Sequence, residues 1–416
     1  MFARTLFTLF VFVCLTTAAV AARYSITDLG SLPQNGGGAS GTAPYGINNL
    51  GQVVGASFGH PFLWEDGRIS AILGPTETGA ALDINNFGQI VGRQGDAISN
   101  GFIFSDGVVT NLTFGLSKGT ATAINDSGHV VGSADFGHGV EAFYFNGVTT
   151  VGLSDSGLPN SAALDINSAG RIVGHYSTSG DPQPFLFDTL SSQTEPLPLD
   201  RGTAFSINDA GAIAVFSDTN RAILIDEDHT YDIGSLGGAN SMPLALNNLG
   251  DVVGSSLTAN GRNGAFVYSS SGIMQNLNDP VSCAEWEFIR ANDINDNGWI
   301  VGVGVLIDSV ETQRGVLFVP TSEALPGDAD GNDRVDIADL NAVRNNFGSV
   351  GEGDVNQDGM VDIADLNDVR NSFGALACTT SVPNTAVPEP SSLALVTITL
   401  AWALRVGKLA RRPAAC

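Results

Sequence analysis

One short pattern recurs seven times along this 416-residue chain. Its first copy reads Ile-Asn-Asn-Leu-Gly-Gln-Val-Val-Gly over residues 47–55, and every copy keeps an apolar residue, an Asn and, three positions later, a Gly. The repeated Asn residues are Asn48, Asn85, Asn125, Asn167, Asn208, Asn247 and Asn295. From the first to the last, six intervals cover 247 residues, a mean period near 41. Such a chain must bury its core by stacking copies of one supersecondary unit.

Each copy predicts two short strands joined by a tight corner. In the Asn-x-x-Gly turn, Asn can bond its own backbone and Gly supplies a positive φ. A second hairpin follows in most copies, turning at Asp66-Gly67, Asp106-Gly107 and Asn146-Gly147, dipeptides that favour hairpins. The fifth copy departs after its Gly, reading Ala-Ile-Ala-Val at 212–215. Four strands per period of about 40 residues are typical of a propeller blade, so residues 23–320 are predicted to form an all-β, seven-bladed β-propeller.

The two ends of the repeat array complement each other. The last copy has a third strand at Val316–Val319, but Pro320 and a linker follow where a fourth strand is expected. Residues Tyr24–Leu32 resemble the fourth strand of the fifth copy, Tyr231–Leu236. Because an unpaired edge exposes backbone groups and invites aggregation, we expect the N-terminal strand to pair into the last blade and close the ring.

The third strand carries a family resemblance. It begins with His60-Pro61-Phe62 in the first copy, and its Phe recurs in Ala142-Phe143 and Ala265-Phe266. The repeat therefore resembles the HAF-type extracellular repeat, named for a His-Ala-Phe tripeptide, over about three quarters of the chain. That resemblance implies a secreted bacterial protein and carries no assigned chemistry.

The first 22 residues read as a secretory signal peptide. Arg4 provides a positive charge, Leu6–Leu15 an apolar region and Ala19-Val20-Ala21 a small-residue cleavage site. The apolar run is shorter than the roughly 20 residues of a membrane-spanning helix. We therefore expect export and removal of this segment.

The C-terminal residues 387–412 carry a second targeting signal. Val387-Pro388-Glu389-Pro390 precedes an apolar stretch at Leu393–Leu404 and a basic tail with Arg405, Lys408, Arg411 and Arg412. This order resembles the PEP-CTERM sorting signal, which implies a transient transmembrane helix and cleavage by an exosortase-type enzyme at the surface of a Gram-negative bacterium. The basic residues would stay cytoplasmic. An ordinary C-terminal membrane anchor is the alternative.

The net charge of −25, with only 18 Lys and Arg residues, argues against nucleic acid as a partner. Of the four Cys residues, Cys14 lies in the signal peptide and Cys416 follows the sorting signal, which leaves Cys283 and Cys378. A disulfide between these two would suit an oxidising compartment, and the sequence leaves the pairing open.

Residues 327–375, between linkers at 321–326 and 376–386, contain two calcium-loop patterns. Oxygen ligands recur at loop positions 1, 3, 5, 7, 9 and 12, the spacing that converges on one Ca²⁺ ion. The first loop contributes Asp328, Asp330, Asn332, the carbonyl of Arg334, Asp336 and Asp339. The second contributes Asp354, Asn356, Asp358, the carbonyl of Met360, Asp362 and Asp365. Gly359 stands at position 6 of the second loop and Asp333 at that of the first, so we predict two Ca²⁺ sites, the second being the stronger.

A helix is predicted after each loop. Ile337, Leu340, Val343 and Phe347 give one apolar face before Gly348, and Ile363, Leu366, Val369 and Phe373 repeat it before Gly374. The pair is expected to fold with its metal. Loop-then-helix repeats that end in Asp resemble dockerin type I, which implies docking to a cohesin-like protein, often in polysaccharide-degrading assemblies. Both copies depart from that family at positions 10 and 11, where they read Ile-Ala.

Two functional hypotheses follow. The first is a non-catalytic binding or scaffold protein whose propeller presents loops to a glycan or protein while the calcium module docks it. The alternative is a dockerin-tethered glycoside hydrolase that uses Asp83, Asp165 and Asp293, which precede Ile-Asn in three copies, although turn capping also explains these residues. The segment Gly115–Gly119 matches a nucleophile-elbow pattern but falls between predicted blades. No catalytic residue is therefore assigned.

Overall fold

The structure is a computed structural model. It describes residues 23–33, 41–95, 99–113, 115–116, 118–153, 157–178, 180–226, 229–269, 272–279, 286–307, 313–321, 328–329, 335, 337–351, 353–356, 359–371 and 380–381. The predicted signal peptide, the sorting signal, Cys283 and Cys378 lie outside these residues.

Seven sheets form the propeller, and the four blade strands of each run antiparallel. Blade 1 contains β2 (Thr42–Ile47), β3 (Val53–Ser57), β4 (His60–Glu65) and β5 (Arg68–Ala71). Blade 2 contains β6 (Gly79–Ile84), β7 (Ile90–Gln94), β8 (Asn100–Ser105) and β9 (Val108–Asn111). Blade 3 contains β10 (Gly119–Ile124), β11 (Val130–Asp135), β12 (Val140–Phe145) and β13 (Thr150–Gly152). Blade 4 contains β14 (Ala162–Ile166), β15 (Arg171–Tyr176), β16 (Gln183–Asp188) and β17 (Gln193–Glu195).

The remaining blades follow the same order. Blade 5 contains β18 (Gly202–Ile207), β19 (Ile213–Ser217), β20 (Ala222–Asp226) and β21 (His229–Asp232). Blade 6 contains β22 (Gly237–Leu246), β23 (Val252–Thr258), β24 (Asn263–Tyr268) and β25 (Met274–Asn276). Blade 7 contains β26 (Trp286–Ile294), β27 (Ile300–Leu306), β28 (Arg314–Thr321) and the N-terminal β1 (Arg23–Asp28). The first strands of neighbouring blades contact each other around the ring, so they line its axis.

Closure by the N-terminal strand is confirmed. β1 pairs antiparallel with β28, from Tyr24 opposite Pro320 to Asp28 opposite Val316. The Asp28 carboxylate accepts a charge-assisted hydrogen bond of 2.8 Å from Arg314, and Ile26 is buried in the core of the last blade. A two-residue strand, β29 (Thr380–Ser381), pairs parallel with the outer edge of β1. The sequence did not predict β29.

A glycine in the second strand of a blade makes room for the phenylalanine of the third. A Cβ atom on Gly55 would lie 2.2 Å from the carbonyl oxygen of Ala43 and 2.8 Å from the ring of Phe62, which is fully buried. Gly92, Gly132, Gly174 and Gly254 stand opposite Phe102, Phe143, Phe185 and Phe266 in the same register. In the divergent blade 5, Val215 pairs with Ile223 instead. The lost glycine and the smaller partner compensate each other in volume.

Two helices follow the predicted calcium loops: α1 (Ile337–Asn345) and α2 (Ile363–Asn371). They pack around Val335, Val343, Val361 and Val369, with Leu340 and Leu366 partly buried against this cluster. The prediction that Ile337, Phe347 and Ile363 belong to the buried face is wrong, because these side chains are 60%, 55% and 59% exposed. The valine just before each helix fills that place instead. Phe373 and Gly374 lie outside the described residues.

No helix of the described residues is long and apolar enough to cross a membrane. The predicted sorting helix at Leu393–Leu404 belongs to the part that is not described.

Candidate functional site

The repeated Asn residues form a closed hydrogen-bonded ring at the axis of the propeller. The side-chain amide of Asn48 donates to the carbonyl oxygen of Asn85 at 3.0 Å, and Asn295 donates back to Asn48 at 2.9 Å. The five links between them are 3.0–3.2 Å long, from Asn85 to Asn125, Asn167, Asn208, Asn247 and Asn295 in turn. All seven side chains are buried. The Asn of each turn therefore bonds the next blade as well as its own backbone.

The same Asn side chains also hold their own turns, as the sequence predicted. The Oδ1 atom of Asn48 accepts hydrogen bonds from the backbone N–H groups of Leu50 and Gln52 at 3.1 and 3.0 Å. Gly51, at the corner, has a φ of 81°, which favours glycine. One side chain thus satisfies two backbone donors in its own blade and one backbone acceptor in the next.

A second polar ring adjoins the first and is formed by the residues that follow each repeated Asn. In six of its links a backbone N–H donates to the side chain of the next blade, as from Asn49 to Asn86 at 2.8 Å and from Asp296 to Asn49 at 2.9 Å. The other four links join Asn86 to Asp126, Ser168 to Asp209, Asp209 to Asn248, and Asn248 to Asp296. Ser168 has the shortest side chain of the ring, and no bond from Asp126 to it is found among the described residues.

The three Asp residues singled out from the sequence each bridge two blades. The two carboxylate oxygens of Asp83 accept backbone N–H groups from Ile84 at 2.7 Å and from Ile124 in the next blade at 2.8 Å. Asp293 does the same for Ile294 and Ile47, both at 2.8 Å.

Asp165 follows this pattern with one addition. It accepts from Ile166 at 2.7 Å, Ile207 at 2.9 Å and the Ser206 hydroxyl at 2.8 Å. The three residues therefore join blades 2 and 3, blades 4 and 5, and blades 7 and 1.

A bulge in the innermost strand explains why the backbone N–H groups that bond these three Asp residues require a side-chain acceptor. The innermost strand of every blade shifts register just before its final residues, for example between Ala81 and Asp83 in blade 2 and between Ala163 and Asp165 in blade 4. A bulge disrupts the ladder locally and leaves backbone groups without their usual strand partner. The side chain next to the bulge supplies the missing acceptor.

The pKa values of these three carboxyl groups are raised. Burial is the largest cause for each, and for Asp83 it raises the pKa to about 7, helped by the charges of Asp165 and Asp126 and opposed by the two backbone hydrogen bonds. Burial and the charge of Asp83 raise the pKa of Asp293 well above its usual value, and burial also raises that of Asp165. The carboxyl groups thus influence one another across the axis.

A cavity of about 210 Å³ lies at the axis and is lined by both rings and by the three Asp residues. Glycoside hydrolysis needs an acid and a second carboxylate that is free to act as base or nucleophile. Here both oxygens of each Asp already accept backbone hydrogen bonds. The geometry therefore assigns the three side chains a structural task, and the enzyme alternative stays a prediction.

The second predicted calcium loop brings several of its predicted ligands together. Asp365 is fully buried, and its oxygens accept backbone N–H groups from Val355 at 2.8 Å, Asn356 at 3.1 Å and Asp362 at 2.7 Å. Burial raises the pKa of Asp365, but these hydrogen bonds outweigh it and hold the pKa below its usual value. Asp354 accepts from Gly359 at 2.9 Å. The last carboxylate therefore folds back onto the start of its own loop.

The first loop repeats part of this arrangement. Asp339 is fully buried and accepts the backbone N–H of Ala329 at 2.7 Å, and Asp328 is also buried. Other predicted ligands lie outside the described residues: Asp330, Asn332, Arg334, Asp336 and Asp358. Within the described residues alone, no three Asp, Glu, His or Cys side chains form a metal-holding group. The oxygen-only donor set fits Ca²⁺ in chemistry, and its occupancy stays a prediction.

Comparison with known proteins gives limited similarity. Residues 148–343, a little under half of the chain, match the family described as "Protein of unknown function (DUF3466)". No curated protein matches. Among solved structures, TolB from Acinetobacter baumannii is 14% identical with a TM-score of 0.40; the match covers 58% of this chain and 64% of TolB, less than two thirds of its length.

Two further solved structures are similar at the same level. YCF48 bound to D1 peptide is 12% identical with a TM-score of 0.44, covering 71% of this chain and 99% of that one. The extracellular domain of the putative one component system BT4673 from B. thetaiotaomicron is 11% identical with a TM-score of 0.43, covering 73% and 40%. The strand pairing described above establishes the propeller independently of these matches.

Proposed function

We propose that this chain is a secreted, non-catalytic binding or scaffold protein. One observation carries the proposal: the polar residues that the repeat concentrates at the axis are bonded to neighbouring blades, so they hold the ring together. The seven repeated Asn residues all have such bonds, and so do Asp83, Asp165 and Asp293. The variable turns around this frame are then the surfaces that meet a ligand, in keeping with the general role of loops on a rigid scaffold.

The segment with α1 and α2 is proposed as a calcium-dependent docking module of the dockerin kind. Its core consists of small apolar side chains around Val343 and Val369, and so little buried surface needs bound metal for stability. Ile337 and Ile363 begin the two helices and are mostly exposed. Two equivalent apolar side chains on a small module support docking to a protein partner.

Surface location is part of the same proposal. The signal peptide would export the chain, and the sorting signal would be recognised and cleaved by an exosortase-type enzyme. A cohesin-like partner, and a link to polysaccharide assemblies, would follow from the dockerin resemblance. A glycan is the other ligand that the loops of the propeller could present.

Calcium-dependent docking tests the proposal. The predicted mature chain, residues 23–386, is immobilised and exposed to a cell-surface protein fraction of the producing bacterium, with Ca²⁺ or with EGTA. We expect a partner that binds only with Ca²⁺ and is lost in the double variant Ile337→Ser/Ile363→Ser. The matched control is Ser349→Ala, an exposed change between the helices. Identical capture with and without Ca²⁺, or release of reducing sugar from a polysaccharide panel, would contradict the proposal.

A further inference from the structure

A cavity lies between blades 5 and 6, at a position of the repeat where a long side chain is replaced by that of Ala212. The residue after the turn glycine is Gln52, Gln89, His129, Arg171, Ala212, Asp251 and Trp299 in blades 1 to 7. Only blade 5 has a small residue there. In blades 1, 2, 4 and 7 this side chain is long and fills the space between its own blade and the turn of the next. This divergence is the one that the sequence showed in the fifth copy.

Contacts in other blades show how that space is filled. A Cβ atom built on the turn glycine of the next blade would lie 3.8 Å from Gln52, 3.3 Å from Gln89 and 3.4 Å from Arg171, at Gly88, Gly128 and Gly211 respectively. Trp299 packs in the same way against the turn of blade 1. In blade 5 the Ala212 side chain leaves this space open as a cavity of about 430 Å³, within the range of ligand pockets.

The lining of the cavity combines aromatic rings with one carboxylate. Tyr231 and Tyr268 line it together with Asp226, and Leu224 and Leu249 add apolar surface. Tyr231 and Leu249 are 45% and 59% exposed, so the cavity opens to solvent. Within the described part of the chain, no donor bonds the Asp226 carboxylate and no partner bonds either phenol hydroxyl.

The other polar side chains that line the cavity, Asn208 and Asn248, already form hydrogen bonds within the protein. The amide of Asn208 donates to Asn247 and its oxygen accepts from Ala212. Asn248 donates to Asp209 and Asp296 and accepts from the backbone of Asp209. A pyranose with several hydroxyl groups would therefore find few free partners here. One carboxylate and two phenol groups suit a ligand with a single polar group and an apolar stem.

The charge of the surrounding face indicates which polar group fits. We call the side of the propeller that carries the seven Asn-x-x-Gly turns the Asn-turn face. Its described turns are rich in acidic side chains: Glu65, Asp66, Asp106, Asp126, Asp188, Asp209, Asp226, Asp251 and Asp296. The basic ones are Arg68, Arg171, which is paired with Glu195, and Arg23 at the end of β1 opposite Thr321. His129 and His229 belong to turns of the same face, and the acidic residues still outnumber all of these. An anionic ligand would be repelled and a cationic one attracted.

We propose that this cavity receives a cationic side chain, arginine or lysine, from a protein that binds the Asn-turn face. The aliphatic stem would lie against Leu224 and Leu249, and the charged group would meet Asp226 and the tyrosine rings, because cations are attracted to aromatic faces. Arginine is enriched at the anchoring positions of interfaces. The inference rests on the proposed binding function and names the chemistry of its partner.

The test uses residues 23–386 and two acetylated, amidated tripeptides, Leu-Arg-Leu and its neutral analogue with citrulline in place of arginine. Binding is measured by calorimetry and ligand-observed NMR. We expect the arginine peptide to bind, the citrulline peptide to bind at least tenfold more weakly, and affinity to fall as NaCl rises from 0.05 to 0.5 M, because exposed charges are screened.

Filling the cavity provides the sharpest variant. Ala212→Gln restores the residue that blades 1 and 2 carry, so the fold is expected to tolerate it, and the arginine peptide should bind at least tenfold more weakly. Asp226→Asn should weaken binding and remove most of the salt dependence. Ser127→Gln, which adds the same side chain to an exposed turn of blade 3, is the matched control. The melting temperature of each variant checks its fold.

The proposal would be overturned by unchanged peptide binding in Ala212→Gln, by equal binding of the citrulline peptide, or by binding of methyl glycosides in place of the arginine peptide. Absence of binding by the wild-type chain at millimolar peptide would do the same. Ala212→Gln should still dock through its helices with Ca²⁺, so failure here and failure of the calcium-dependent docking are separate outcomes.

Discussion

The side-chain amide of Asn295 donates a hydrogen bond of 2.9 Å to the carbonyl oxygen of Asn48, across 247 residues of chain. This bond joins the last blade to the first at the axis, while β1 joins them at the outside through its pairing with β28. The ring is therefore closed twice. We expect the Asn ring and the β1–β28 pairing to contribute separately to the stability of the propeller.

The contribution of the Asn ring to stability is tested at its link between blades 3 and 4, by Asn125→Ala. Asn125 donates to Asn167 at 3.0 Å and accepts from the backbone of Ser127 and His129, both at 3.1 Å. Its loss leaves the buried carbonyl group of Asn167 and two part-buried N–H groups without partners, which costs about 2 kcal/mol. We expect a melting temperature lower by several degrees in calorimetry. Ser127→Ala, an exposed change in the same turn, should leave it unchanged, and an equal effect of both substitutions would refute the role of the ring.

The outer closure is tested by Ile26→Ser. Ile26 is 1% exposed and packs in the core of blade 7. Replacing a buried isoleucine by a small polar residue costs about 3 kcal/mol or more, and release of β1 would expose the edge of β28. We expect a lower urea midpoint and soluble aggregates in size-exclusion chromatography. Ser31→Ala, exposed just beyond β1, should behave as wild type; the closure model fails if Ile26→Ser does too.

The raised pKa values of the three Asp residues at the axis predict that the stability of the propeller depends on pH. Burial raises the pKa of Asp83 from 3.8 to about 7, so between these values the folded state binds more protons than the unfolded chain. Stability from this group is present at about pH 4 and is lost as the pH rises through 7.

Asp83→Asn removes that titration. The stability of the wild type relative to Asp83→Asn, from urea unfolding at pH 5 to 8, should fall as the pH rises. Asp106→Asn, at an exposed turn, corrects for the general effect of net charge. A wild-type advantage that grows with pH would contradict the raised pKa.

If the two predicted loops bind Ca²⁺, we expect their affinities to differ. Gly359 has a φ of 97° at the sharp bend of the second loop, where the first loop has Asp333. A side chain at such a φ is strained, so calorimetric titration with Ca²⁺ should resolve a tighter and a weaker site. Asp365→Asn should abolish the tighter one and Asp339→Asn the weaker. Asp368→Asn, in α2 outside the loop, is the control, and two sites of equal affinity would contradict the assignment.

Several features of the candidate site depended on neighbours that the sequence cannot display. The Asn-x-x-Gly pattern predicts a turn held by Asn48, and the structure confirms it, but the partner of its amide group lies 37 residues away in the next blade. Asp83, Asp165 and Asp293 suggested either catalysis or capping. Each of them bonds a backbone N–H group of the next blade, and the sequence does not show which residues two neighbouring blades bring together.

The seven blades, their hairpin turns and the closure by the N-terminal strand could be predicted from the sequence, because the period, turn residues such as Gly51 and Asp66-Gly67, and the missing fourth strand of the last copy are all visible along the chain. The buried side of each helix depends on packing, since Val343 and Val369 belong to one buried cluster while Ile337 and Ile363 remain exposed. The arrangement of the blades also determines that the small side chain of Ala212 leaves a cavity. A missing side chain becomes a cavity only when the turn of the next blade stands opposite it, since packing depends on both surfaces.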